Sequence, residues 1–197
     1  MTAPPPLQLE HSVRVSALEP ERTWKLRGDT LWMCAEGQAE LPIPLSEVCE
    51  LRLAFEPSRF QLNRFRCYLR NALGPCATIQ NEHFTGFASF HDRTDTYLEL
   101  VRSLISRIAV INPACRFKTG TSAFNWWLQA VILSTGLILL GAVLFFLAPA
   151  IGWLVIVKLA LMAVLIPVVI SWFSRNRPRT FSPDAIPTKL IPKSRTS

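Results

Sequence analysis

Between Trp126 and Leu147 the chain reads WWLQAVILSTGLILLGAVLFFL, 22 residues without a charge and with Gln129 as the one strongly polar side chain. Coiled as an α-helix at about 1.5 Å per residue, this run measures roughly 33 Å, enough to cross the hydrocarbon of a bilayer. Ala148-Pro149-Ala150-Ile151-Gly152 interrupts it, and Trp153 to Phe173 supplies a second apolar run of 21 residues. Two apolar helices joined by an uncharged turn predict a transmembrane hairpin, with helices over 126–147 and 153–173. A buried helical hairpin of a soluble protein would need a larger partner fold than the 125 preceding residues provide.

Basic residues flank this hairpin: Arg116 and Lys118 before it, Arg175, Arg177 and Arg179 after it, with no charge in the turn. By the positive-inside rule both chain termini face the cytoplasm, which makes the expected location the inner (cytoplasmic) membrane, multi-pass. Trp126, Trp127 and Trp172 fall where interfacial aromatic anchors belong on one side, and Trp153 on the other. Lys158 is an intramembrane charge, a position that points by default to function, but its stem can snorkel toward headgroups past Trp153. Pro167 is expected to bend the second helix. Ala130, Ser134, Gly136 and Gly141 permit close helix approach, so a homo-oligomer is possible, without a strict G-x-x-x-G motif.

Half of the residues are hydrophobic and only 18% are charged, which sets aside disorder and nucleic-acid binding as starting points. The formal charge of +7 is unevenly spread. Residues 1–125 hold 14 basic and 13 acidic side chains, whereas residues 174–197 hold six basic side chains and Asp184 alone. The excess therefore belongs to the tail, which is expected to be disordered and to favour anionic headgroups over nucleic acid. Five cysteines, none in a C-x-x-C pair, favour reduced thiols in the cytosol. Pro4-Pro5-Pro6 and Glu10 occupy the place where a signal peptide needs a basic flank and an apolar run, so an N-terminal arm, 1–19, is not expected to direct export.

Residues 20–120 break into short segments at roughly ten-residue spacing, the habit of a small antiparallel barrel or sandwich. Strands are expected over 23–27, 30–36, 39–43, 49–55, 64–70, 76–80 and 86–90. Leu51, Leu53 and Phe55 alternate with Glu50, Arg52 and Ala54, and Phe65, Cys67 and Leu69 alternate with Arg64, Arg66, Tyr68 and Arg70. The period then changes: Tyr97, Val101, Leu104 and Ile108 share one helix face, opened by a Thr96/Glu99 capping box and closed by Asn112-Pro113.

About seven strands followed by one amphipathic helix, together with the piece Ile43-Pro44-Leu45-Ser46-Glu47-Val48-Cys49-Glu50-Leu51, resembles the pleckstrin-homology-like (PH-like) domains of uncharacterised bacterial membrane proteins. The resemblance covers residues 20–115. It implies an α+β chain: a PH-like barrel or sandwich capped by a C-terminal helix, then the transmembrane hairpin. It also implies a binding or scaffolding role, since such folds hold lipids, peptides or sister domains. Between Thr23 and Glu36 only Lys25 and Arg27 are basic, which departs from members that read phosphoinositides.

Chemistry-bearing residues are few. His83, His91 and Asp92 are the one group near metal-ligand spacing, and they read first as turn histidines. No nucleophile elbow, phosphate loop or zinc-protease motif occurs, so neither an enzyme nor a cofactor is expected. The outward row Arg64, Arg66, Tyr68, Arg70 is the densest basic feature of the folded part. It either docks on an anionic leaflet or an acidic partner, or is a solvated face paired with Glu50 and Glu56. The primary expectation is a membrane-anchored, non-catalytic scaffold or accessory protein that binds a membrane or cytoplasmic protein. The alternatives are a sensor of anionic headgroups and a small transport component using Lys158. An exposed edge strand able to accept a partner's strand is a further route, with the edge unassigned.

Overall fold

The computed structural model describes residues 9–58, 61, 63–86, 89–147 and 154–187. The chain divides into two units, Met1–Thr119 with Arg179–Ser197, and Gly120–Pro178. The first is mostly strands. β1 (Leu9–Val13), β2 (Arg22–Arg27), β3 (Thr30–Ala35) and β4 (Leu41–Pro44) form an antiparallel four-stranded meander. Its sharpest turn depends on Gly28, whose φ of 54° is a left-handed conformation that a side chain would oppose.

A single 3-10 turn, Leu45–Glu47, leads to β5 (Glu50–Phe55), β6 (Phe65–Asn71) and β7 (Gly74–Gln80), a second antiparallel meander. β8 (Glu82–Gly86) and β9 (Ser89–Asp92) make a separate ribbon. α1 (Thr94–Ile111) follows, and then β10 (Arg116–Thr119) joins β5 in parallel. Across residues 120–178 lies the second unit, after which β11 (Arg179–Thr180) returns antiparallel to β10.

The expected alternation decides the core. Leu51, Leu53, Cys67, Leu69 and Ile79 point inward from the second sheet, and Trp24, Leu26, Leu31 and Ile43 from the first. α1 lays Tyr97, Val101, Leu104 and Ile108 on them, together with Leu100 and Ile105. Burial of such side chains is worth about 1.5–3 kcal/mol each.

Several expectations change. The sheets do not close into a barrel: β4 and β7 end them as edges, and β4 carries Pro42 and Pro44, which lack the N–H groups that closure would use. The N-terminal arm is structured from Leu9 as β1, paired with β2 from Leu9↔Leu26 to Val13↔Arg22. The helix starts at Thr94, not Thr96. Its first turn is served by Asp92, whose Oδ1 accepts from the Thr94 N–H at 3.0 Å and the Thr94 hydroxyl at 2.5 Å, while the Thr96 hydroxyl lies 2.9 Å from His11 Nδ1. Of the tail expected to be disordered, residues through 187 hold β11 and contacts to the core, and 188–197 lie outside the described residues. Phe181 donates its N–H to the Phe117 carbonyl at 3.1 Å and stacks edge-on at 5.8 Å, and Phe181 and Ile186 pack against the core.

In the second unit, α2 (Ala123–Leu147) and α3 (Leu154–Asn176) are antiparallel neighbours. Trp126, near the start of α2, donates Nε1–H to the Phe173 carbonyl at 3.5 Å, and its ring meets that of Phe173 at 5.5 Å near the end of α3. Farther along, a Cβ added at Gly141 would stand 3.5 Å from Met162 Cε. Phe124–Val143 is long and apolar enough to cross a membrane, and none of it is buried. Among the described residues it is the one stretch that reaches this measure, so the expectation of two spans holds for the first run alone. Trp153 and the connecting turn lie outside the described residues.

Asn81, fully buried, ties four segments: its Oδ1 accepts from the Phe65 N–H at 2.8 Å, and its Nδ2 reaches the Asn63 carbonyl, Thr94 Oγ1 and Asp92 Oδ1 at 3.1–3.4 Å. Replacing Asn81 with Ala strands these groups in the interior. The expected loss is about 2–4 kcal/mol in chemical denaturation, against less than about 0.5 kcal/mol for Ser103→Ala on the helix surface.

Candidate interaction surface

The outer face of the second sheet is a grid fixed by strand register. Arg116, Glu50 and Arg70 form one row across β10, β5 and β6; Lys118, Arg52 and Tyr68 form the next; Ala54 and Arg66 form a third. Of the expected row, Arg66, Tyr68 and Arg70 do lie on one face of β6, whereas Arg64 precedes the strand.

Glu56 organises one end of the grid. Arg66 Nη1 lies 3.2 Å from its carboxylate, the Tyr68 hydroxyl donates to the same group at 2.9 Å, and Arg64 Nε donates to its backbone carbonyl at 2.7 Å. Arg64 also donates to Gln61 Oε1 at 2.9 Å. Burial, with the Glu56 charge beside it, pushes the Tyr68 hydroxyl above its ordinary pKa. At the centre, Lys118 Nζ and Arg52 Nη2 approach the Glu50 carboxylate at 2.6 and 3.0 Å. Burial alone would raise Glu50, but these two cations hold it below its usual range.

Most of the row is thus engaged within the sheet. Arg70 and Arg116 are the exceptions: both are exposed and, among the described residues, have no ion-pair partner. Lys118 and Arg116, read from sequence as flanks that orient a membrane hairpin, are strand residues of the grid, and Arg179 sits in β11. Arg177 is exposed between α3 and β11, and Arg175, Trp172 and Lys158 lie within α3. Trp127 is 65% exposed at the start of α2, next to the half-buried Trp126.

Beside Arg70 runs a groove of about 300 Å³ between the two edge strands, lined by Leu41, Pro42, Ile43 and Pro44 of β4, by Glu47 and Val48, and by Asn71, Pro75 and Cys76. Sequence reasoning missed this groove because its walls come from segments about thirty residues apart. The edge prolines were its one legible signal.

The histidines are not in turns. His83 and His91 are cross-strand partners in the β8–β9 ribbon, and no group of three metal-ligating side chains occurs among the described residues. His83 Nδ1 accepts the Arg14 N–H at 3.1 Å, which fixes the ring as the neutral Nε2–H form, so the Glu21 carboxylate, 3.8 Å away, pairs with Arg93 at 3.4 Å and not with the histidine. His11, buried in β1, donates Nε2–H to the Gln80 carbonyl at 2.8 Å. A second cleft, about 390 Å³, is lined by Glu10, Ser12, His91, Asp92, Arg93, Asp95 and Thr96. The thiols are free: burial pushes Cys67 up to about 12 and Cys115 up to about 11, away from nucleophilic use.

No family model, curated protein or solved structure matches the chain.

Burial lowers the pKa of both His11 and His83, and Arg93 adds to the effect. The unfolded chain takes up these protons first as pH falls. Their stabilising contribution is complete above the unfolded histidine value, about 6.5, and is lost as pH drops through the lower folded values. Denaturant midpoints are expected to fall between pH 7 and pH 5, and His83→Gln is expected to flatten the slope. Glu82 has the opposite sign. Burial, then Asp92, raises its carboxyl, and Oε2 has no hydrogen-bond partner. Glu82→Gln is expected to raise Tm at pH 7, with the gain vanishing toward pH 4 as the native glutamate protonates.

Proposed function

We propose that this chain is a membrane-anchored, non-catalytic binding protein whose strand-rich domain stays in the cytoplasm and is held at the bilayer by the α2–α3 hairpin. The observation that carries the reading is the register Thr119↔Arg179 and Lys118↔Thr180. The last residue of β10 and the first of β11 bracket residues 120–178 and are cross-strand partners. A segment whose two ends are hydrogen-bonded neighbours in one sheet crosses a bilayer an even number of times. Its 25- and 23-residue helices, about 37 and 34 Å long, supply two crossings. On this reading Trp126, Trp127 and Trp172 occupy the cytoplasmic interface, and Arg175 and Arg177 follow positive-inside.

A four-stranded meander and a three-stranded meander ahead of one amphipathic helix support the resemblance to PH-like domains, and β8–β9, β10 and β11 lie outside that resemblance. Such a domain acts by holding a partner. The headgroup-sensor alternative draws less support, because Arg64, Arg66 and Tyr68 already have partners inside the sheet.

Epitope tags before Met1, between Pro149 and Ala150, and after Ser197 test the arrangement. The tag at 149/150 is expected to be reached by antibody in intact spheroplasts, and both terminal tags only after permeabilisation. A tag after Ser197 exposed on intact spheroplasts, with the one before Met1 hidden, would mean an odd number of crossings and refute the reading.

A further inference from the structure

We propose that the groove between β4 and β7, together with Arg70, is the docking site for an acidic, apolar-anchored segment of a partner protein, a proposal that rests on the binding role above and names the partner's chemistry. The groove walls are apolar over Leu41, Pro42, Ile43, Pro44, Val48 and Pro75. Leu41 is 49% exposed there, and Leu73, at the tip of the adjoining β6–β7 hairpin, is 97% exposed. Isolated leucines on a surface are ordinary, but two beside a shaped apolar cleft and an unpaired arginine match the composition of an interface centre.

The charge on this end of the sheet selects the partner's sign. Arg70 and Arg116 stand on either side of Glu50, whose carboxylate is already claimed by Lys118 and Arg52, so among the described residues both guanidinium groups lack an ion-pair partner and can meet an external anion. Glu47 is the one acidic side chain lining the groove. It limits the complementary acids of the partner to the Arg70 side.

The edges also dictate the mode of binding. Pro42 and Pro44 remove N–H donors from β4, and Pro75 removes one near the start of β7. A complete ladder with an added strand is therefore blocked on both sides of the groove, and the partner is held by side chains. A protein segment is favoured over lipid because the groove is a shaped apolar cleft with Arg70 at its side, whereas leaflet binding draws on clusters of basic residues.

The test uses the full chain in phosphatidylcholine nanodiscs and a fluorescent seven-residue peptide with a Leu-Ser-Leu centre and two glutamates at each end. Anisotropy is expected to show binding weakened at least about tenfold by Arg70→Glu and by Leu41→Asn, and unchanged by Arg66→Gln. The counterpart peptide with lysines for glutamates is expected to prefer the Arg70→Glu protein. Thermal melts confirm that the exposed-site variants fold. Equal affinity of the acidic peptide for Arg70→Glu, or for Leu41→Asn, overturns the proposal. So does displacement of the peptide by phosphatidylserine vesicles, which assigns the surface to lipid. The tag at 149/150 separates the two readings: if it is external while the peptide effects fail, only the docking site is lost.

Discussion

Two residues of strand, Arg179 and Thr180, hold the far end of a 59-residue excursion against the strand from which it departed. The ladder is short, so its stability comes from its surroundings. Thr119 Oγ1 donates to the Arg179 carbonyl at 3.2 Å, Phe181 stacks on Phe117, and Ile186 packs farther along the same core. This seam converts two apolar helices from an appendage into a closed loop. It also covers the outer edge of β10, an edge that would otherwise present unpaired backbone groups to other chains.

The same economy governs charge. Every acid on the outer face of the second sheet is shared by more than one donor: Glu50 by Lys118 and Arg52, Glu56 by Arg66 and Tyr68. Such partly exposed pairs add little stability individually, at most about 1 kcal/mol each. Their effect is on availability. By occupying the central cations they leave Arg70 and Arg116 as the cations of this face that, among the described residues, have no ion-pair partner.

Alternation and helical periodicity were enough to locate β2, β3, β5, β6, β7 and the buried face of α1, because each of these elements buries one face and shows that fact every two or every three to four residues. β1, β10 and β11 were not visible in the same way. Leu9–Val13 buries a histidine where an apolar residue would have announced a strand, and Arg116–Thr119 has the composition of a basic flank. The two residues of β11 are both exposed and carry no pattern at all. β10 and β11 exist because partners far away in sequence supply their hydrogen bonds, while β1 pairs with its neighbour β2.

From sequence alone came the apolar run at 126–147, the strand-rich α+β character of the first unit, the core stripe of α1 and the concentration of charge in the tail. All are local properties, legible because burial or lipid exposure selects side chains one position at a time. Tertiary structure decided which arginines are already engaged, where the sheets end as edges, that the histidines face each other across a ribbon, and that residues 119 and 179 are neighbours. Each of those depends on groups between two and about seventy residues apart, and no periodicity in a chain records which distant segment will complete a hydrogen bond or neutralise a charge.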